Sequence, residues 1–153
     1  METIFLKKLE QTPTIKGHKS RGISTAEIQN LEQKLKVKFP IAYKEYLFLG
    51  GKYCYIPNGG WNFGFEDLEF MQQEAQNVVN DEGLLLRPFW CFAEYNDAES
   101  FLFFFLDEGD NPPIYNFIAD KGLTDEQGKA VSYKKAINSF SEYIDRCIES
   151  SLK

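Results

Sequence analysis

The sequence contains few of the residues that most enzymes and metal sites require. It has one histidine, His18, and three cysteines, Cys54, Cys91 and Cys147, which are far apart along the chain. A zinc site needs Cys, His or acidic ligands at short, regular spacings, and no such spacing occurs. The cysteines are odd in number and stand among aromatic or aliphatic residues, which is typical of buried thiols in a reducing compartment. The sequence therefore predicts no bound metal, no cofactor and no disulfide framework.

Long apolar runs are also missing. The longest one, Phe101 to Leu106, is far shorter than the ~18 residues that cross a bilayer. The N-terminal segment METIFLKKLE has neither the apolar core nor the cleavage site of a signal peptide. We therefore expect a cytoplasmic protein that does not bind a membrane. With 153 residues, 43% of them apolar, the chain is long enough for one domain with a substantial core.

A base for nucleophilic catalysis is not evident. Serine or cysteine nucleophiles usually need an imidazole partner, and His18 stands in a polar segment. A carboxylate pair of the glycosidase kind stays open, because Glu94, Asp97, Glu99 and Asp107 all lie at the ends of predicted strands. Turns explain these four acids more simply. We expect no enzyme activity and no catalytic residue, with a small hydrolase as the enzymatic alternative.

Basic residues are almost absent from the middle of the chain. Residues 61–120 contain thirteen Asp or Glu and a single basic residue, Arg87, whereas residues 1–60 contain ten Lys or Arg against five acids. The net charge of the chain is −6. Two interpretations remain open: a solvated face that is partly neutralised from within, or an acidic surface that binds a basic partner. Nucleic acid is an unfavourable partner for an acidic domain with scattered basic residues.

Hydrophobic periodicity and capping signals predict four helices. They cover residues 24–36, 40–49, 68–79 and 139–148. The first has the clearest start, because Ser24 and Glu27 are spaced as a capping box. Ser139 and Glu142 repeat this spacing at the start of the last helix. The second begins at Pro40, which is tolerated in a first helical turn, and ends at paired glycines.

Strand signals occupy much of the remaining sequence. They predict a hairpin of residues 53–56 and 61–65, and an antiparallel meander of residues 88–95, 100–106 and 114–118. The middle strand of the meander does not alternate polar with apolar residues, so both of its faces should be covered. Phe103 and Phe105 should point to one face, and Leu102, Phe104 and Leu106 to the other. The order of elements indicates an α+β single domain with a mostly antiparallel β-sheet flanked by helices.

Acidic side chains cluster in the two turns of this meander. Asp97 and Glu99 flank the first turn, and Asp107, Glu108 and Asp110 lie in the second. Consecutive turns of an up-and-down meander lie at opposite ends of the sheet, so the five acids cannot form one patch. The second turn does not match a calcium-binding loop, because its third residue is glycine and its sixth is proline.

The segment ISTAEIQNLEQKLKVKFPIAYKEYLFLGG resembles the opening signature of the SUKH superfamily of Smi/Knr-type proteins. That signature combines a Ser-capped helix with a Pro-x-x-Tyr-x-x-Tyr-Leu helix that ends at paired glycines. The matching residues are Ser24, Glu27, Ile28, Leu31, Glu32, Pro40, Tyr43, Tyr46, Leu47, Gly50 and Gly51. The later segments FWCFAEYNDAESFLFFFLDEGDNPPIYNF and NSFSEYI resemble the family's strand core and terminal helix. The resemblance covers about residues 23–148 and leaves residues 1–22 as an N-terminal extension of one domain, residues 1–153.

The resemblance implies a protein-binding role. Many bacterial members are immunity proteins that neutralise polymorphic toxins, often nucleases, and one fungal branch regulates cell-wall synthesis as an interaction hub. The chain lacks a fungal-style disordered extension, which favours the bacterial type and, within it, the YobK-like members. We therefore expect an antitoxin that binds a cognate toxin. The alternative is an intracellular scaffold or regulatory module of the fungal type, and the sequence does not indicate an oligomeric state.

The resemblance transfers no catalytic residue, so the predicted site is a binding surface. A nuclease presents a positive cleft to phosphate, and an acidic protein can occupy or block that cleft. The predicted toxin-binding residues are accordingly the acids of the two turns. They are Asp107, Glu108 and Asp110 first, and Asp97 and Glu99 second.

Overall fold

The computed structural model describes residues 1–56, 67–95 and 99–152, the side chain of Tyr95 excepted. The helices in this part of the chain are α1 (Lys7–Gln11), α2 (Thr25–Leu35), α3 (Ile41–Gly50), α4 (Leu68–Asp81) and α5 (Phe140–Ser151). The strands are β1 (Thr14–Ile15), β2 (His18–Lys19), β3 (Phe89–Tyr95), β4 (Ser100–Phe105), β5 (Ile114–Ile118), β6 (Leu123–Thr124), β7 (Ala130–Val131) and β8 (Tyr133–Ile137). The fold is α+β with antiparallel sheets, as the sequence predicts.

The main sheet has four antiparallel strands in the order β3-β4-β5-β8. Strands β3, β4 and β5 form the predicted meander, and β4 is a central strand as expected. Strand β8 was not predicted, because its sequence YKKAI has no apolar alternation and its three central residues are exposed at the sheet edge. The hairpins β1–β2 and β6–β7 were also not predicted, since each strand has only two residues.

Both faces of β4 are covered by aromatic side chains. On one face the fully buried ring of Phe104 lies 5.2 Å from Tyr43 of α3 and 5.9 Å from Phe140 of α5, measured between centroids. On the other face Phe103 packs 5.4 Å from Phe89 and 5.4 Å from Tyr115. The predicted assignment of these two phenylalanines to opposite faces is therefore correct, and the core continues on both sides of the sheet.

The helix boundaries follow the capping signals. The Ser24 hydroxyl accepts the Glu27 N–H at 3.1 Å, and the Glu27 carboxylate accepts the Ser24 N–H at 3.1 Å, which completes the predicted capping box of α2. At α5 the Ser139 hydroxyl accepts the Glu142 N–H at 3.2 Å. Most of the predicted hairpin at residues 53–65 lies outside the described residues. In the described part, Tyr53 instead forms an isolated bridge with Arg21.

The N-terminal segment packs against α3. The carboxylate of Glu45 is buried, with 1% of the residue exposed, and it accepts backbone N–H groups from Ile4 at 3.1 Å, Phe5 at 2.9 Å and Leu6 at 3.0 Å. A buried carboxylate requires such donors, because its desolvation is otherwise costly. Leu6 and Leu9 are buried in the same core as the sheet residues. Residues that the sequence set apart as an extension thus complete the packing around α3.

Candidate functional site

The acidic turn, residues 107–110, lies against the N-termini of two helices. The carbonyl oxygen of Asp110 accepts the N–H of Ala42 in the first turn of α3, at 2.9 Å. The next residue, Asn111, accepts the N–H of Ser141 at 2.9 Å and donates to its hydroxyl at 2.8 Å, at the start of α5. Inside the turn, Gly109 adopts a φ of +86°, a conformation that favours glycine. These contacts hold the turn in one position relative to the helices.

Arg87 contacts two of the three acids of the turn. Its Nε lies 2.9 Å and 3.0 Å from the two carboxylate oxygens of Asp107, and its guanidinium lies 3.0 Å from Glu108 Oε1. The guanidinium carbon lies 3.7 Å from the ring centroid of Phe105, and this cation–π contact helps to fix the orientation of the Arg87 side chain. The hydroxyl of Tyr115 donates to Glu108 at 2.9 Å. The hydrogen bond with Asp107 raises the pKa of Arg87 above its usual value.

The acidic turn remains negative and open to solvent despite this pairing. Three carboxylates oppose one guanidinium, and 56% of the Asp107 side chain is exposed against 24% of Glu108. Asp110 is exposed as well. Within residues 1–56, 67–95 and 99–152 the Asp110 carboxylate has no hydrogen-bond or ion-pair partner. A basic partner can therefore reach the carboxylate of Asp107, which Arg87 holds in place, and that of Asp110, whose backbone is bonded to α3.

The other predicted site residues lie elsewhere. Glu99 is exposed and directly precedes β4, and its carbonyl oxygen accepts the N–H of Ala119 at 2.8 Å. Asp97 lies outside the described residues. Glu94 pairs in register with Phe101, near the same end of β4, whereas Asp107 follows the opposite end. At about 3.3 Å per residue, β4 separates Asp107 from Glu99 by roughly 20 Å, which excludes a carboxylate pair between them.

The ion pairs favour an acidic surface over internal neutralisation. Of the ion pairs between described residues, Lys34–Glu69 at 2.9 Å is the one that joins the basic first third to the acidic middle third. The two other ion pairs of the middle third, with Asp107 and Glu108, are both made by Arg87, which itself belongs to the middle third. Several acids of the middle third are exposed. They are Asp67, Glu69, Asp81, Glu99, Asp107, Asp110 and Asp120.

The sequence predicted the acids of the turn but not the residues that hold them. In the sequence, Arg87 stands out only as the single basic residue among the thirteen acids of residues 61–120. That position was the available signal that it pairs with acidic side chains in the folded protein. Asn111 contacts Ser141, and Tyr115 contacts Glu108. Both contacts depend on how strands and helices pack, so no local sequence pattern predicts them.

Two further kinds of site find no support in the described part of the chain. Among those residues there is no group of three His, Cys, Asp or Glu side chains that would hold a metal ion. No helix within the same ranges has the length and apolar character needed to cross a membrane.

The comparisons with known proteins agree with the resemblance seen in the sequence. The model of the SMI1 / KNR4 family (SUKH-1) matches residues 22–146, from just before α2 into α5, and this range includes the acidic turn and Arg87. A comparison with curated proteins found no match. Because the family model covers most of the 153 residues, the chain belongs to the SMI1 / KNR4 family (SUKH-1).

Proposed function

We propose that this protein is an immunity protein that binds a cognate toxin and blocks it, and that the toxin is a nuclease with a basic cleft. Membership of the family supports an immunity-type or Smi1/Knr4-like protein. Family members are generally immunity proteins rather than enzymes. The YobK-like subtype stays a prediction, and so does a location in the cytoplasm.

The observation that carries the proposal is the acidic turn held between α3 and α5. A nuclease must attract phosphate, so its cleft is positive, and exposed carboxylates at fixed positions are complementary to that charge. Because backbone and side-chain contacts already order the turn, its binding would cost little further conformational entropy. The exposed acids outside the turn would add long-range attraction and increase the rate of encounter.

The direct test is protection of cells from the toxin. The probe is a nuclease-like C-terminal toxin domain encoded beside the gene of this protein, expressed in a bacterial host with and without the protein. We expect growth arrest with the toxin domain alone, restored growth on co-expression, and co-purification of the two proteins. Growth arrest that persists on co-expression, together with no complex in size-exclusion chromatography, would contradict the proposal.

A regulatory interaction module of the Smi1/Knr4 type is the second candidate function. It is favoured by a second charged surface, a positive one around the exposed residues Lys19, Arg21 and Lys52, because a scaffold needs separate contacts for separate partners. Co-purification with endogenous proteins at both surfaces, without any protection from a toxin, would favour this candidate.

A further inference from the structure

A second charged surface lies at the other end of α3. We call it the basic–aromatic surface, and it consists of His18, Lys19, Arg21, Lys52, Tyr53 and Tyr55. The acidic turn bonds to Ala42 at the start of α3, whereas Lys52 follows Gly50, the last residue of α3. The backbone of Arg21 joins the two parts of the surface, because its N–H donates to Tyr53 at 2.8 Å and its carbonyl oxygen accepts from Tyr53 at 2.9 Å.

Three rings are gathered at this surface. The ring of His18 stacks on Tyr55 with centroids 5.4 Å apart and an interplanar angle of 21°. Its Nδ1 lies 3.0 Å from the hydroxyl of Tyr53. His18 is exposed and both tyrosines are half-buried, so the cluster is not part of the core. Aromatic side chains with a polar end are enriched where proteins bind each other, since they give a large contact area with little loss of entropy.

Acidic residues are scarce around these rings. The two longest acid-free stretches of the chain are residues 11–26 and 46–65. The bridge between Arg21 and Tyr53 joins the first stretch to residues 46–56, the described part of the second. Lys19, Arg21 and Lys52 are exposed. Glu27 is one acid near this group, and its pKa is lowered mainly by hydrogen bonds with Ser24 and to a smaller extent by Lys52. In a chain of net charge −6, this region is locally positive.

An apolar groove adjoins the rings. Tyr55 forms one wall of this groove, which has a volume of about 290 Å³. The other lining residues are Ile56, Ile137, Tyr143, Arg146, Cys147, Ser150 and Ser151. Arg146 places a further cation at the groove, although it also pairs with Glu142 at 2.7 Å. The surface thus combines cations, partly exposed rings and a place for one apolar side chain.

We propose that the basic–aromatic surface binds an acidic segment of a protein partner, with its carboxylates at Lys19, Arg21 and Lys52 and an apolar side chain in the groove. A peptide fits these features better than a nucleic acid, because the groove, although Arg146, Ser150 and Ser151 also line it, has a mainly apolar surface that suits an apolar side chain. A long polyanion would also be repelled by the rest of an acidic protein. This inference does not depend on the toxin hypothesis, since the surface is separate from the acidic turn.

The test is an NMR titration of the ¹⁵N-labelled protein with a synthetic peptide, acetyl-Asp-Glu-Asp-Phe-Glu-Asp-Glu-amide. We expect saturable shifts of the amides in residues 15–21 and 52–56, with a dissociation constant of about 0.1–1 mM. Raising NaCl from about 50 to about 500 mM should weaken the binding. The amide analogue, in which Asn and Gln replace the acids, should not bind, and replacement of Phe by Gly should reduce the shifts of groove residues.

A matched pair of double variants localises the effect. R21Q/K52Q should weaken peptide binding about tenfold, whereas K38Q/K135Q, which removes two exposed lysine charges elsewhere, should change it less than about twofold. Equal losses in both variants, or no saturable shifts in the unmodified protein, would overturn the proposal. A thymidine oligonucleotide of equal charge that shifts the same amides at lower concentration would also overturn it, in favour of single-stranded nucleic acid.

Discussion

The three acids of the turn and Arg87 act as one electrostatic unit. Arg87 balances part of the negative charge and, through its contact with Phe105, fixes where Asp107 and Glu108 point. Exposed ion pairs contribute little to folding stability, so this arrangement matters more for what the surface presents than for how firmly the domain folds.

The first prediction concerns association with the toxin. The triple variant D107N/E108Q/D110N should fold with almost unchanged stability, but it should associate more slowly and with weaker salt dependence, because rim charges act mainly through steering. Arg87 would then be unbalanced and would repel a basic cleft. Stopped-flow association at two salt concentrations measures the effect.

The control for this prediction removes the same charges elsewhere. The variant D81N/D120N/E126Q changes two exposed Asp and one exposed Glu outside the turn and has the same net charge as the triple variant. It should keep an association rate closer to that of the unmodified protein. If both variants associate equally slowly, net charge is responsible and the turn has no special role.

A second prediction concerns Phe104. This fully buried ring contacts Tyr43, Phe92 and Phe140, so truncation leaves a cavity between the sheet and two helices. Phe104→Ala should lower the free energy of unfolding by about 3–5 kcal/mol, measured by urea denaturation. Leu102→Ala, at a half-buried position of the same strand, should cost less. A loss below about 0.5 kcal/mol for Phe104 would contradict its place in the core.

Helix α3 contacts parts of the fold that are far apart in the sequence. An N–H of its first turn donates to the acidic turn, and its buried Tyr43 contacts Phe104. Its Glu45 accepts backbone N–H groups of the N-terminal segment. The helix is buried on most sides, which explains why its apolar residues do not form a single stripe.

The third prediction tests the contact between α3 and the N-terminal segment. Glu45→Ala removes the acceptor of three backbone N–H groups, and it should lower the free energy of unfolding by about 2–4 kcal/mol. Amide hydrogen exchange at residues 4–6 should become faster than in the unmodified protein. Glu10→Ala, at an exposed position of α1, should change neither quantity appreciably. Exchange at residues 4–6 that is unprotected before mutation would contradict the contact.

The sequence predicts those elements whose signals are local. The capping box of Ser24 and Glu27 marks α2, and the run Phe101 to Leu106 identifies a strand with two covered faces. The role of Glu45 is not predictable in this way, because its three donors lie about forty residues away. The contact of Arg87 with the acidic turn is also not predictable from local sequence, because it depends on the pairing of β3 with β4, in which Phe89 lies opposite Phe105.

The protein as a whole should be sensitive to alkaline pH. Burial raises the pKa of Tyr43 well above its usual value near 10, although the hydrogen bond from Trp90 opposes this shift. Burial and the hydrogen bond to Glu108 raise the pKa of Tyr115. The folded state therefore retains protons that the unfolded chain releases, and this contribution to stability, present below about pH 10, is lost as the pH rises further.

The fourth prediction follows from Tyr43. The free energy of unfolding, measured in urea, should fall between about pH 8 and pH 11 in the unmodified protein and fall less in Tyr43→Phe. At about pH 8, Tyr43→Phe should be less stable than the unmodified protein, because the buried indole N–H of Trp90 loses its acceptor. Equal decreases in both proteins would show that Tyr43 does not carry the pH dependence.

The contact between α1 and α5 has a consequence for biosynthesis. These helices come from opposite ends of the described chain, yet they pack together, and Lys8 forms an ion pair with Glu149. During translation α1 leaves the ribosome first and cannot reach its place until α5 has been made. The apolar side chains of α1 that pack against α5 therefore remain uncovered until α5 has emerged. A nascent chain of this protein should consequently bind chaperones until α5 emerges.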